Sequence, residues 1–165
     1  MMAYVSTEAW INPQAIDSTS TTAQVPVGTV VRAEDKDSST ALGVGEFIYC
    51  SGVASTVVGS VVTIDEAGAT ILATTSAKGR VGVAMSANVA SQYGWYQISG
   101  KGHAKVKSGF ADNGICYLTS DTAGSVDDAD AAGDLVKGMM GRSAISSGKA
   151  YVELNRPFVD DAADD

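Results

Sequence analysis

Arg80-Val-Gly-Val-Ala-Met85, Tyr93-Gly-Trp-Tyr-Gln-Ile98 and His103-Ala-Lys-Val-Lys107 decide the fold class. Each is a short run dominated by β-branched or aromatic side chains, and the connections between them carry Gly, Ser and Asn. Such side chains lose rotamer freedom in a helix and fit a pleated surface. Short apolar runs bounded by turn residues read as strands. The same unit recurs in both directions. Toward the N-terminus stand Thr70-Ile-Leu-Ala-Thr74, Ser60-Val-Val-Thr-Ile-Asp65, Glu46-Phe-Ile-Tyr-Cys50 and Gly28-Thr-Val-Val-Arg-Ala33. Toward the C-terminus stand Ile115-Cys-Tyr-Leu-Thr119, Leu135-Val-Lys-Gly-Met139 and Ala150-Tyr-Val-Glu-Leu154. The succession predicts an all-β chain, a compact β-barrel or β-sandwich. Only residues 86–92 and 127–133 leave room for a helical turn.

Composition agrees. Val and Ile total 27 residues against five Leu, and 18 Gly supply turns. A length of 165 residues suits one ordinary domain. Ala makes up about a third of the hydrophobic residues, and a core of Ala and Val buries less area than one of Leu and Phe. Oligomerisation or docking is the expected source of further burial. A faint echo, Phe47-Ile-Tyr-Cys-Ser51 with Gly59-Ser-Val61 against Ile115-Cys-Tyr-Leu-Thr119 with Gly124-Ser-Val126, raises the idea of an internal duplication.

Three regions follow from this pattern. Residues 1–27 read as an extended N-terminal arm, polar over Asp17–Pro26 but carrying Trp10 and Ile11 in its first half. Large apolar residues on such an arm need a surface to rest on, either the parent domain or a neighbouring subunit. Residues 28–159 form the β-domain. Residues 160–165, Asp160-Asp-Ala-Ala-Asp-Asp165, read as an acidic disordered tail.

The net charge of −8 argues against a dedicated nucleic-acid binder, since phosphate contacts need a cationic surface. No run approaches the roughly 18 apolar residues of a membrane span, and the N-terminus lacks the pattern of a secretory signal. A soluble chain made in the cytoplasm is the expectation. Charge is nevertheless segregated. Residues 67–111 carry +5 with no acid, residues 1–66 carry −6, and residues 112–165 carry −7. Such a distribution suits either pairing between neighbouring strands or a head-to-tail contact between subunits. Lys101, Lys105 and Lys107 share one strand face, so they are solvent-facing or opposed by acids.

Catalytic sets are hard to assemble. His103 is the single histidine, which excludes H-E-x-x-H metal sites and leaves any triad dependent on that residue. A small hydrolase or lyase using His103 is the enzymatic alternative; a structural residue on a strand edge is the simpler reading. The acidic stretch from Asp128 offers calcium-loop positions 1, 3 and 6 but places Ala132 and Met139 where ligands are required. It reads as a solvated turn. Cys50 and Cys116 are too few for a disulfide framework or a zinc site and read as buried free thiols. No metal or other cofactor is expected. Tyr93, Trp95 and Tyr96 form the one dense aromatic cluster. They are core candidates first, and with Trp10 and Ile11 they are the candidate interface residues.

Gly45-Glu-Phe-Ile-Tyr49, Gly52-Val-Ala-Ser-Thr56, Val83-Ala-Met-Ser-Ala-Asn-Val-Ala90, Gln92-Tyr-Gly-Trp-Tyr-Gln-Ile98 and Arg156-Pro-Phe-Val159 together resemble the capsid decoration (cement, head-stabilising) proteins of tailed bacteriophages. The likeness is one of segments and their order and covers about residues 25–160. It implies a β-rich protein bound to the outside of a phage head, commonly as a trimer, with the major capsid protein as partner. It implies no active-site residues. On this reading the chain is a virion structural protein, not an enzyme. The alternative is a head-fibre, tail or host-adsorption component that binds glycans through an exposed Trp95 or Tyr96.

Overall fold

The computed structural model describes residues 4–6, 14–37, 39 and 42–160. Its described residues contain twelve strands and no helix. In chain order these are β1 (Tyr4–Ser6), β2 (Thr19–Ser20), β3 (Val30–Asp35), β4 (Val44–Ser51), β5 (Val61–Ile64) and β6 (Thr70–Leu72). There follow β7 (Gly79–Ala84), β8 (Tyr93–Lys105), β9 (Ile115–Leu118), β10 (Val126–Asp127), β11 (Leu135–Gly141) and β12 (Lys149–Val159). They join in one antiparallel sheet ordered β1-β3-β4-β8-β7-β12-β11-β9-β10, with β2 added to β8 and the β5–β6 hairpin added to β7. The sheet does not close and folds over itself as a sandwich-like all-β body.

The first half of the fold is covered on both faces. In β4 and the front of β8 the odd-numbered Phe47, Tyr49 and Trp95 pack with Ile16, Val31, Ala33 and Met85. The even-numbered Ile48, Cys50, Tyr96 and Ile98 pack with Val62, Ile64 and Ala84. Alternate strand residues point to opposite faces, so two-sided cover accounts for the unbroken apolar runs 47–50 and 95–96. Full burial of a side chain such as Phe47 or Ile48 contributes about 1.5–3 kcal/mol.

The second half is covered on one face only. Along β12, Ala150, Val152 and Leu154 are buried while Lys149, Tyr151, Glu153 and Asn155 face outward. The rear of β8 alternates likewise, with Gly102 and Ala104 inside and Lys101, His103 and Lys105 outside.

β8 crosses from one half to the other at a corner. Its front pairs with β4 through Gln97↔Phe47, and its rear pairs with β12 from Ser99↔Asn155 to Lys105↔Lys149. The register against β4 slips between Glu46 and Phe47. Buried Gln97 staples the corner: its Nε2 donates to the carbonyls of Ser99 at 3.1 Å and Lys101 at 3.0 Å. Gly100 turns it with φ +93°, and a Cβ there would lie 2.6 Å from the Val44 carbonyl oxygen. β12 bends in parallel at Arg156 (φ 45°), whose guanidinium binds the Glu46 carboxylate at 2.8 and 3.0 Å.

One sequence expectation needs correction. Residues 14–27 are not a free arm. Ile16 is buried in the first core, β2 pairs with β8, and Gln14 is buried with 5% exposure. Its carbonyl accepts the Trp95 indole N–H at 3.1 Å, its Nε2 donates to the Tyr93 carbonyl at 3.0 Å, and its Oε1 accepts from the Tyr49 hydroxyl. The polarity that reads as solvation is spent on pairing buried groups. Trp10 and Ile11, and residues 161–165 of the acidic tail, lie outside the described residues. The all-β reading holds also where the sequence left room for a helical turn. Residues 86–92 form bends and turns anchored by Asn88, whose Nδ2 donates to the Cys50 carbonyl at 3.2 Å and to the Tyr96 hydroxyl at 3.1 Å. Asp127 ends a strand, and the residues after it hold turns without helix.

The echo has a local counterpart. Gly59-Ser-Val61 and Gly124-Ser-Val126 each close a turn, with Ser60 N–H donating to the Val57 carbonyl at 3.0 Å and Ser125 N–H to the Thr122 carbonyl at 3.1 Å. In each triplet the Ser and the Val are buried. The strands around them differ, however: β4 lies between β3 and β8, and β9 between β11 and β10.

Candidate functional site

The outward face of β8, β12, β11 and β9 is the candidate site. Register aligns Lys101 with Glu153, Glu153 with Met140 and Met140 with Ile115, one residue from each of four strands. Lys101 and Glu153 are exposed, Met140 is 37% exposed and Ile115 48%. Inward neighbours on these strands belong to the core, and alternation therefore forces this row outward. Glu153 also accepts from Arg142 Nε at 2.8 Å.

Three concavities open on this face. One, of about 360 Å³, is lined by Val58, His103, Ser143, Ser147, Lys149 and Tyr151 among others. A second, of about 590 Å³, runs over Ser99–Lys101, Arg142 and Glu153–Asn155, and a third of about 230 Å³ adjoins it at Gly138–Met140. The Tyr151 ring lines the first: His103 lies 4.2 Å away, centroid to centroid, and the Lys101 ammonium stands 5.0 Å over the ring. The latter is a cation–π contact.

The surroundings of His103 disfavour its charged form. Burial disfavours its charged form first, and the ammonium groups of Lys149 and Lys101 add to the effect, bringing its pKa below the ordinary value. A Ser-His-Asp arrangement would instead set a carboxylate beside the ring. Ser143 Oγ, in the same cleft, donates to the Ala144 carbonyl and accepts the Tyr151 N–H at 3.0 Å. The hydroxyl is engaged with backbone.

The other sequence candidates fall elsewhere. Trp95 and Tyr96 are fully buried within the chain, which makes them core residues and removes them as a surface for subunits or glycans. Tyr93 is half-buried and stacks on Tyr49 at 6.2 Å. Cys50 and Cys116 are free and buried, and burial pushes both thiols up to about 12. In the acidic stretch, Asp127 pairs with Lys107 at 3.0 Å, Asp128 accepts the Ala111 N–H at 2.9 Å, and Asp134 accepts the Ser76 N–H at 2.7 Å. Among the described residues no His, Cys, Asp and Glu group could hold a metal ion, and no helix is long and apolar enough to cross a membrane.

Of the three lysines placed on one face, Lys107 is opposed by Asp121 and Asp127, and Lys101 stands across from Glu153. Lys105 stands across from Lys149, a like charge. Met140, Ile115 and Tyr151 were not singled out from sequence. The alternation of Lys149–Asn155 was the available signal, but the partners across the sheet are not visible in one strand. Comparison with known protein families, with characterised proteins and with solved structures yields no match to this chain.

Proposed function

We propose that the chain is a virion structural protein that binds the outer surface of a tailed-phage head and stabilises it, working as a trimer on the major capsid protein. The observation that carries this reading is the four-strand outer face, where apolar Met140 and Ile115 continue the charged pair Lys101 and Glu153 in one row. A broad, mixed face on a stiff sheet suits contact with another protein surface. The likeness to decoration proteins supports it from a different side. The segments that carry the likeness lie in β4 and just after it, from the end of β7 into the front of β8, and at the end of β12. They speak for the body, and the outer face supplies the contact.

Purified chain added to phage heads that lack it tests the proposal. Co-sedimentation that saturates, with heads more resistant to heat or low salt, is the expected outcome. Met140→Asp with Ile115→Asp should abolish it while leaving the isolated chain folded. Heads that bind neither form, or both equally, overturn it. Deleting residues 2–24 is a poor probe of attachment, because Gln14 and Ile16 belong to the core.

A further inference from the structure

The cleft at the His103 end of the outer face carries an unbalanced charge. Lys105 and Lys149 occupy directly opposed positions of β8 and β12, and like charges in that relationship destabilise a sheet. The Lys149 stem lies over Gly59: a Cβ there would sit 3.3 Å from Lys149 Cε. His103, Tyr151, Lys149, Ser143, Ser146 and Ser147 line a cleft of about 360 Å³, a size ordinary for built binding clefts. Burial, Lys149 and Lys101 disfavour the charged form of His103. The Lys149 ammonium lines the cleft beside Ser146 and Ser147, and Lys105 stands next to it across the sheet; two cations so placed attract carboxylates.

We propose that this cleft binds the acidic segment Asp161-Ala-Ala-Asp-Asp165 of a second copy of the chain, linking copies head to tail. The segment brings three carboxylates in five residues to a cleft beside Lys149 and Lys105, the latter from the acid-free stretch 67–111. Reach decides that the contact is between copies. From Lys149 to Asn155 β12 advances about 20 Å. Asp160 lies past the far end of that strand, tied to Lys137 at 2.7 Å beside Phe158. The five residues after Asp160 span at most about 18 Å when extended, too short to return to Lys149 of their own chain. A contact of this heterologous kind closes into a ring or continues as a filament. The inference stands independently of attachment to a phage head.

A labelled peptide of residues 157–165 titrated with the full chain, read by fluorescence anisotropy, tests it. Saturable binding that weakens as salt rises is expected, falling at least tenfold for the peptide with all three terminal-segment aspartates changed to Asn. The Lys105→Glu, Lys149→Glu chain should lose the peptide and bind one carrying Lys at those three positions, which also shows that the variant is folded. In sedimentation, removing residues 161–165 should abolish self-association of the chain. Equal binding of the Asp and Asn peptides, failure of the charge swap, or self-association indifferent to residues 161–165 overturns the proposal.

Discussion

The Tyr49 hydroxyl and the Gln14 side-chain oxygen meet at 2.5 Å inside the first core, although 35 positions separate them in the chain. The same Gln14 receives the Trp95 indole and donates to the Tyr93 and Ser18 carbonyls. Gln14→Ala therefore strands a buried phenol and a buried carbonyl, which costs about 1–3 kcal/mol. The urea midpoint should fall accordingly. A midpoint equal to that of the unaltered chain would show that the packing of residues 14–27 does not stabilise the body.

Gly100 marks the corner of β8. An Ala there adopts a left-handed backbone and presses its Cβ toward the Val44 carbonyl. Strain and overpacking together should destabilise the chain by about 2–4 kcal/mol. Thermal unfolding of Gly100→Ala checks this. Ala at Gly109, with a similar φ of +97° but open space around it, should cost less, since only the backbone term applies.

Both thiols are raised to about 12 by burial. At pH 8 only about one in ten thousand of each is thiolate, and the thiolate is the reacting form. A thiol-disulfide reagent should leave the folded chain nearly untouched and modify two thiols per chain once denaturant is added. Rapid modification of either in the folded chain would contradict its placement.

His103 is the single histidine, so its imidazole titration can be followed by nuclear magnetic resonance without assignment. Its midpoint should lie below the ordinary 6.5. As pH falls past the unfolded-state value the unfolded chain takes up the proton first. Stability is consequently lost from there down to the folded midpoint. Lys149→Ala should move the midpoint upward, though not fully, because burial remains the larger cause. An unchanged midpoint would mean that the lysine does not face the ring.

The strands from Val30 to Val159 were largely legible because each is a short apolar run between turn residues. Three features escaped. Ser99-Gly-Lys-Gly102 has the composition of a turn, and β8 was accordingly read as two strands. Gly100 bends the strand there, and Gln97 holds it continuous. The segment 14–27 was read as an arm because its residues are polar. Gln14 and the edge pairing of β2 show that a polar stretch can pack when its groups answer buried donors and acceptors. Trp95 and Tyr96 were offered to the surface as well as to the core. Nothing local reveals that both faces of β8 are covered at that level, since the covering residues come from positions 16, 31, 62 and 64. The outer face was half legible: spacing put Lys101 and Lys105 together, whereas Met140 and Ile115 come alongside only through pairing.

The continuity of β8 has a mechanical consequence. One uninterrupted backbone is woven into the doubly covered half and into the open half, so a tug on the outer face passes along peptide bonds into the aromatic interior. The two halves are shackled covalently at Ser99, and a load borne by one is carried into the other.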